Sequence, residues 1–155
     1  MSVNFELSSL DDYSRRFAEL LFAAFPDWSA FASIEEGCLV VKVPAPIVGP
    51  QVIEEDVLSI VTDEEVKLEF DRYRVQFDTF SEVPEEEAFA QAVEFIRALV
   101  EEKTCIVISM REGRLRGCTT VEAGKEPNLA GFDSADTVYI RSWNGTYNRV
   151  LFTKE

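Results

Sequence analysis

The side chains best equipped for chemistry in this chain are its carboxylates, and they come in runs: Glu35-Glu36, Glu54-Glu55-Asp56, Asp63-Glu64-Glu65 and Glu85-Glu86-Glu87. Carboxylates that converge in a cleft can hydrolyse glycosidic bonds or hold a catalytic metal. These runs fall instead at predicted turns and helix starts, where acids are favoured for local reasons. They are therefore expected to be solvated structure. The chain contains no histidine. That removes imidazole acid–base catalysis, Ser-His-Asp and Cys-His nucleophiles, and imidazole metal ligands. Its three cysteines, Cys38, Cys105 and Cys118, are odd in number and show no C-x-x-C spacing. Cys105 lies in the apolar run CIVISM, where a free thiol behaves as a small hydrophobe. A zinc site would need a fourth ligand and closer spacing. Phosphate-binding glycine loops, a nucleophile elbow and an EF-hand loop are all missing from the sequence. The expectation is a protein that is not an enzyme, with no cofactor and no metal.

Charge is the stronger clue. There are 29 acids and 15 bases, a net charge of −14. Residues 52–103 hold 16 of the acids against 5 bases, whereas residues 104–155 hold 6 acids and 7 bases. A field of that sign repels phosphate backbones and anionic membranes, so direct nucleic-acid or membrane binding is not expected. It attracts a basic protein and speeds encounter with it. Glu64, Glu65, Glu69, Asp71 and Asp78, from the most acidic third, are the candidate contact acids.

A second candidate contact lies near the C-terminus, in Arg141-Ser142-Trp143-Asn144-Gly145-Thr146-Tyr147-Asn148-Arg149. Asn-Gly between alternating segments predicts a two-residue type I′ hairpin turn. That register sets Trp143 opposite Thr146 and Arg141 opposite Asn148. Tyr139, Arg141 and Trp143 then share one face, with Val138, Ile140 and Leu151 on the core side. Tyr, Arg and Trp dominate interface hot spots, and they equally build cation–π stacks that cover a sheet.

The elements that must position these residues can be read from periodicity. A helix is predicted over about 9–25, N-capped by Ser9 and stopped by Pro26, with Tyr13, Phe17, Leu20, Leu21 and Ala24 inward. Strands follow at 29–34, 38–43 and 57–62, with Gly37 at the first turn and a stiff proline-rich connection over 44–50. Val66, Leu68 and Phe70, then Tyr73, Val75 and Phe77, alternate with polar residues, the mark of a half-buried antiparallel sheet. A second helix is predicted over about 84–102, with Pro84 in its first turn and Phe89, Ala92, Val93, Ile96, Leu99 and Val100 inward. Strands at 104–110 and 114–121 flank a Glu112-Gly113 turn, a loop covers 123–136, and the last hairpin closes the chain.

Helix, strands, helix, strands is an α+β order: a mainly antiparallel twisted sheet with both helices packed on one face, or alternatively two small sheets separated by the second helix. A chain of 155 residues, 46% hydrophobic and 28% charged, suits one domain spanning 1–155. Neither a membrane-length apolar run nor a basic-then-apolar leader is visible, so a cytoplasmic location is expected.

The segment YIRSWNGTYNR, with the upstream VKLEFDRYRVQFDTF and the helix after it, resembles small acidic uncharacterised bacterial proteins that are similar to the immunity proteins of toxin systems. Its sharp motif is R-S-W-x-G-x-Y, Arg141 to Tyr147. The resemblance implies a binding role and supplies no catalytic residue. Three readings follow. The first is an acidic binding protein that occludes a basic, toxin-like partner. The second is a DNA mimic or regulator of a nucleic-acid enzyme. The third is an enzyme using Asp, Glu and Arg without His.

Overall fold

A computed structural model describes residues 7–46, 57–71, 73–77, 83–127 and 136–152. The fold is α+β and antiparallel. Its strands fall into two sheets, of five and four strands, which is the alternative layout above and not a single sheet. The reason is the second helix, α2 (Glu85–Val100). It spans about 24 Å at 1.5 Å per residue. The strands before it pair in chain order into one sheet, and those after it form the other. The chain forms two compact units, residues 1–44, 57–70 and 74–96, and residues 45–56, 71–73 and 97–155.

The first unit carries the five-stranded sheet: β1 (Ala32–Glu35), β2 (Cys38–Pro44), β3 (Val57–Thr62), β4 (Val66–Phe70) and β5 (Tyr73–Phe77), paired in chain order. Leu39, Val41, Val43, Leu58, Ile60, Val66, Leu68 and Phe70 are all buried, as strand alternation requires for a face covered by helices. The first helix, α1 (Asp12–Ala24), presents Ser14, Phe17, Ala18 and Leu21 to that core. Phe89 of α2 packs edge-on against Tyr13 and Phe17, with ring centroids 5.1 and 5.3 Å apart. Arg16 makes a two-pronged bond to Glu85, 2.7 Å to each carboxylate oxygen.

Three expectations for this unit need correction. The cap of α1 is Asp11, not Ser9: its carboxylate accepts from the Ser14 N–H at 2.7 Å, while Leu7–Ser9 forms a separate 3-10 turn. Leu20 is 47% exposed, and Ser14 and Ala18 take its place inside. A hydrophobic-pattern reading misses Ser14 because it is polar. Its hydroxyl is satisfied in the core by that of Thr62, 2.5 Å away. Finally, Pro26–Phe31 is a 3-10 helix, so the strand predicted from residue 29 begins only at Ala32.

The second unit holds β6 (Thr104–Arg111), β7 (Arg114–Glu122), β8 (Thr137–Arg141) and β9 (Arg149–Phe152), in spatial order β7-β6-β8-β9. Cys105 to Met110 are all buried, so the continuous apolar run CIVISM marks a strand covered on both faces. One face clusters Cys105 and Val107 with Val138, Ile140 and Leu151, as predicted. Ser109 on the same face donates to Asp136, which also accepts from the Arg111 Nε at 2.8 Å.

The other face overturns the C-terminal contact site. The register puts Tyr139 and Arg141 on a common face, opposite Ile108 and Ile106. That face is interior. Arg141 is 1% exposed, and its Nη1 donates to the carboxylate of Asp71 at 2.5 Å. Trp143 is 6% exposed, and Tyr139 is half-buried. Arg141, Trp143 and Asp71 are therefore structural residues and cannot be surface contacts. Asp71 belongs to the short segment 71–73 of this unit. Burying a guanidinium is tolerable only with such a partner.

The hairpin register is the expected one, with Ile140 paired to Arg149 and Val138 to Leu151. The connection is not the expected two-residue turn. Gly145 has φ +80° but Asn144 does not appear among the positive-φ residues, so a type I′ turn is excluded. Two successive turns replace it, with Gly145 N–H to Ser142 O at 3.1 Å and Asn148 N–H to Gly145 O at 3.2 Å. Glu102 holds this wider loop: its carboxylate accepts from the N–H of Asn144 (2.8 Å) and from the N–H and hydroxyl of Thr146 (3.3 and 2.6 Å). Burial pushes the Glu102 carboxyl up, but the donors from Thr146, Ser142 and Asn144 outweigh it and hold it below the usual range.

Two outcomes follow for stability. Asp71→Asn or Arg141→Met alone should cost about 3–5 kcal/mol, because each strands a buried partner, and the double variant should recover part of the loss. Denaturant melts of the three variants measure it. Because the folded-state pKa of Glu102 is depressed, its contribution is present above the unfolded value and lost as pH falls through the folded one. Between pH 5 and pH 3 the wild type should therefore lose more stability than Glu102→Gln.

Candidate functional site: an acidic contact surface

The reversals of the five-stranded sheet decide where its carboxylates go. Glu36 and Gly37 have φ of +52° and +81°, the pair of positive values a type I′ turn between β1 and β2 requires. Glu64, at φ +64°, makes the reversal between β3 and β4. The β2–β3 register runs from Val57 opposite Pro44 to Val61 opposite Val40. Continued by two residues, it sets Cys38 beside Asp63. Both turns therefore stand at the same end of the sheet. The start of α1 is tied there too, by Asp11 N–H to Gly37 O at 2.8 Å.

The Cys38 thiol reports the resulting field. Burial raises its pKa first, and Asp63, Asp11 and Glu36 raise it further, with Lys67 the opposing charge. Acids from three separate segments thus converge on one point. Lys67 offsets part of the charge, lying 3.9 Å from Asp63 and 3.7 Å from Glu65. Glu35, Glu36 and Glu64 are exposed and make no ion pair among the described residues.

The sequence-based contact acids therefore separate. Glu64 lies at this surface, and Glu65 lies beside it, largely covered and paired with Lys67. Glu69 is on the outer face of the sheet, bound to Arg74 at 3.1 Å. Asp71 is buried, and Asp78 lies outside the described residues, as does the run 54–56. Glu85 is spent on Arg16. Sequence reasoning missed Asp11 and Glu36 as members of the surface. The Glu36-Gly37 turn was legible, but only strand register brings it beside Asp63.

The arrangement concentrates negative charge at one end of the sheet. Among the described residues no cluster of Cys, Asp and Glu has the geometry to hold a metal ion. The Cys105 thiol, pushed up to about 11 by burial and by Glu102, is a poor nucleophile at neutral pH.

A left-handed Glu is strained relative to Asn, which adopts that conformation readily. Glu36→Asn creates the favoured Asn-Gly turn and should stabilise the protein by about 1 kcal/mol. It also removes a charge that raises the Cys38 thiol. In a Cys118→Ser background, iodoacetamide should then modify Cys38 faster at pH 8. An unchanged rate would mean that Glu36 does not act on this thiol.

Compared with protein-family models, with curated proteins and with solved structures, the chain gives no match.

Proposed function

We propose that this protein is a non-enzymatic binding protein that captures a basic protein partner on the acidic end of its five-stranded sheet, in the manner of an immunity protein that occludes a toxin. The observation that carries the reading is geometric: the Glu36-Gly37 turn, the 63–65 turn and the Asp11 helix cap meet at one end of the sheet, where the β2–β3 register sets Cys38 beside Asp63 and Asp11 N–H donates to Gly37 O at 2.8 Å. Glu35, Glu36 and Glu64 are the carboxylates free to meet Lys and Arg of the partner. Left-handed backbone at Glu36 and Glu64 fits a surface kept for contact, because Asn or Gly there would relieve strain at the cost of charge. Binding works by occlusion: the acids cover cationic groups that the partner needs for its own phosphate-bearing or anionic substrate. The charge of residues 52–103 adds a long-range field that speeds encounter.

The test is capture of a basic protein from host extract on the immobilised chain, followed by stopped-flow association with the purified partner. The association rate should fall at least tenfold between low salt and ~0.5 M, where the screening length drops to a few ångströms. The triple variant Glu35→Gln, Glu36→Gln, Glu64→Gln should slow it by a similar factor while keeping its fold. A rate indifferent to salt and to the three substitutions would remove this surface as the contact.

A further inference from the structure

Among the described residues, the four-stranded sheet has one long unpaired edge. β7 is nine residues long and pairs only with β6 among the described strands. Its side chains are exposed at Arg114, Leu115, Arg116, Cys118, Thr119 and Glu122. The β6–β7 register is unbroken from Thr104 opposite Glu122 to Ser109 opposite Gly117, and the irregularity comes only beyond Ser109. Ala123 N–H donates to Lys103 O at 2.9 Å, which fixes the phase of the ladder. Alternation then turns the N–H and C=O of Thr119 and Val121 toward β6, and those of Cys118, Thr120 and Glu122 outward. Natural sheets blunt such an edge with proline, a short strand or a covering element. The segment 117–122 contains no proline and pairs with β6 in unbroken register, and the irregularity on this strand falls at Arg116.

The charge on this edge departs from the acidic balance of the chain: β7 carries Arg114 and Arg116 at one end against Glu122 at the other. Three arginines of the same unit are paired: Arg111 with Asp136, Arg141 with Asp71 and Arg149 with Glu126. Arg114 and Arg116 make no ion pair among the described residues, in a chain with 29 acids. From the outward backbone groups and these two arginines we infer that β7 is a strand-addition site for an extended acidic segment of a partner protein. The main chain of that segment pairs with Cys118, Thr120 and Glu122, and its carboxylates meet Arg114 and Arg116. A second copy of this chain is the poorer occupant, because two chains of net charge −14 repel one another as wholes.

The probe is a capped nine-residue peptide alternating valine and glutamate, titrated to millimolar concentration into the isotope-labelled full chain and followed by NMR. The amides of Cys118, Thr120 and Glu122 should shift and exchange more slowly with solvent, and a valine–lysine peptide should leave them unmoved. Arg114→Glu with Arg116→Glu should weaken binding at least tenfold. Thr120→Pro should abolish it, since it deletes an N–H that β6 does not use, while the β6 amides keep their protection. No shift at this edge, equal shifts with the lysine peptide, or concentration-dependent pairing of the chain with itself through these amides would each overturn the inference. None of these outcomes depends on the acidic end of the other unit.

Discussion

Antiparallel strands joined in chain order need reversals, and the short hairpin loops that match strand twist favour at least one residue in the left-handed region. Here every non-glycine residue described in that region carries a carboxylate: Glu36, Glu64, Asp71, Glu102 and Glu112. The conformation is unfavourable for a long side chain, by about 1–2 kcal/mol relative to its relaxed state. Two of these turns add a glycine as the second residue, Gly37 and Gly113, where positive φ is free of cost. Five of the 29 acids thus stand at positions set by left-handed backbone.

The consequences differ with surroundings. At Glu36 and Glu64 the carboxylates project into solvent at one end of the five-stranded sheet, where strand register sums their fields with Asp63 and the helix cap Asp11. At Asp71 the same backbone conformation delivers a carboxylate into the interior, where it meets Arg141. At Glu102 it delivers one against a loop, whose N–H groups and hydroxyl then hold it ionised. One local device therefore supplies exposed carboxylates, a buried counter-ion and a loop clasp.

The two units also divide charge. The first carries the exposed acids at its turns. The second buries or pairs most of its arginines and leaves two on a strand edge. A surface split in this way suits recognition of partners with different character, because steering depends on the local field more than on net charge.

Much of the fold was legible from sequence because it rests on local rules. Alternation located β3, β4 and the strand pairs that follow, the run CIVISM marked a strand buried on both faces, and Glu36-Gly37 and Glu112-Gly113 marked turns. Residue type alone set the charge imbalance and the lack of imidazole chemistry. What sequence could not decide was which polar groups go inside. Ser14, Asp71 and Arg141 are hydrophilic by type, yet each is buried because tertiary packing supplies a partner, Thr62 for the first and one another for the others. The Asn144-Gly145 signal also yielded to tertiary context: Glu102, 42 residues away from Asn144, supplies a carboxylate that favours a wider loop over the tight turn. Alternation is a property of the chain next to itself. A hydrogen bond or ion pair between distant residues exists only once the fold has brought them together, and that is what settled which acids and which arginines face the solvent.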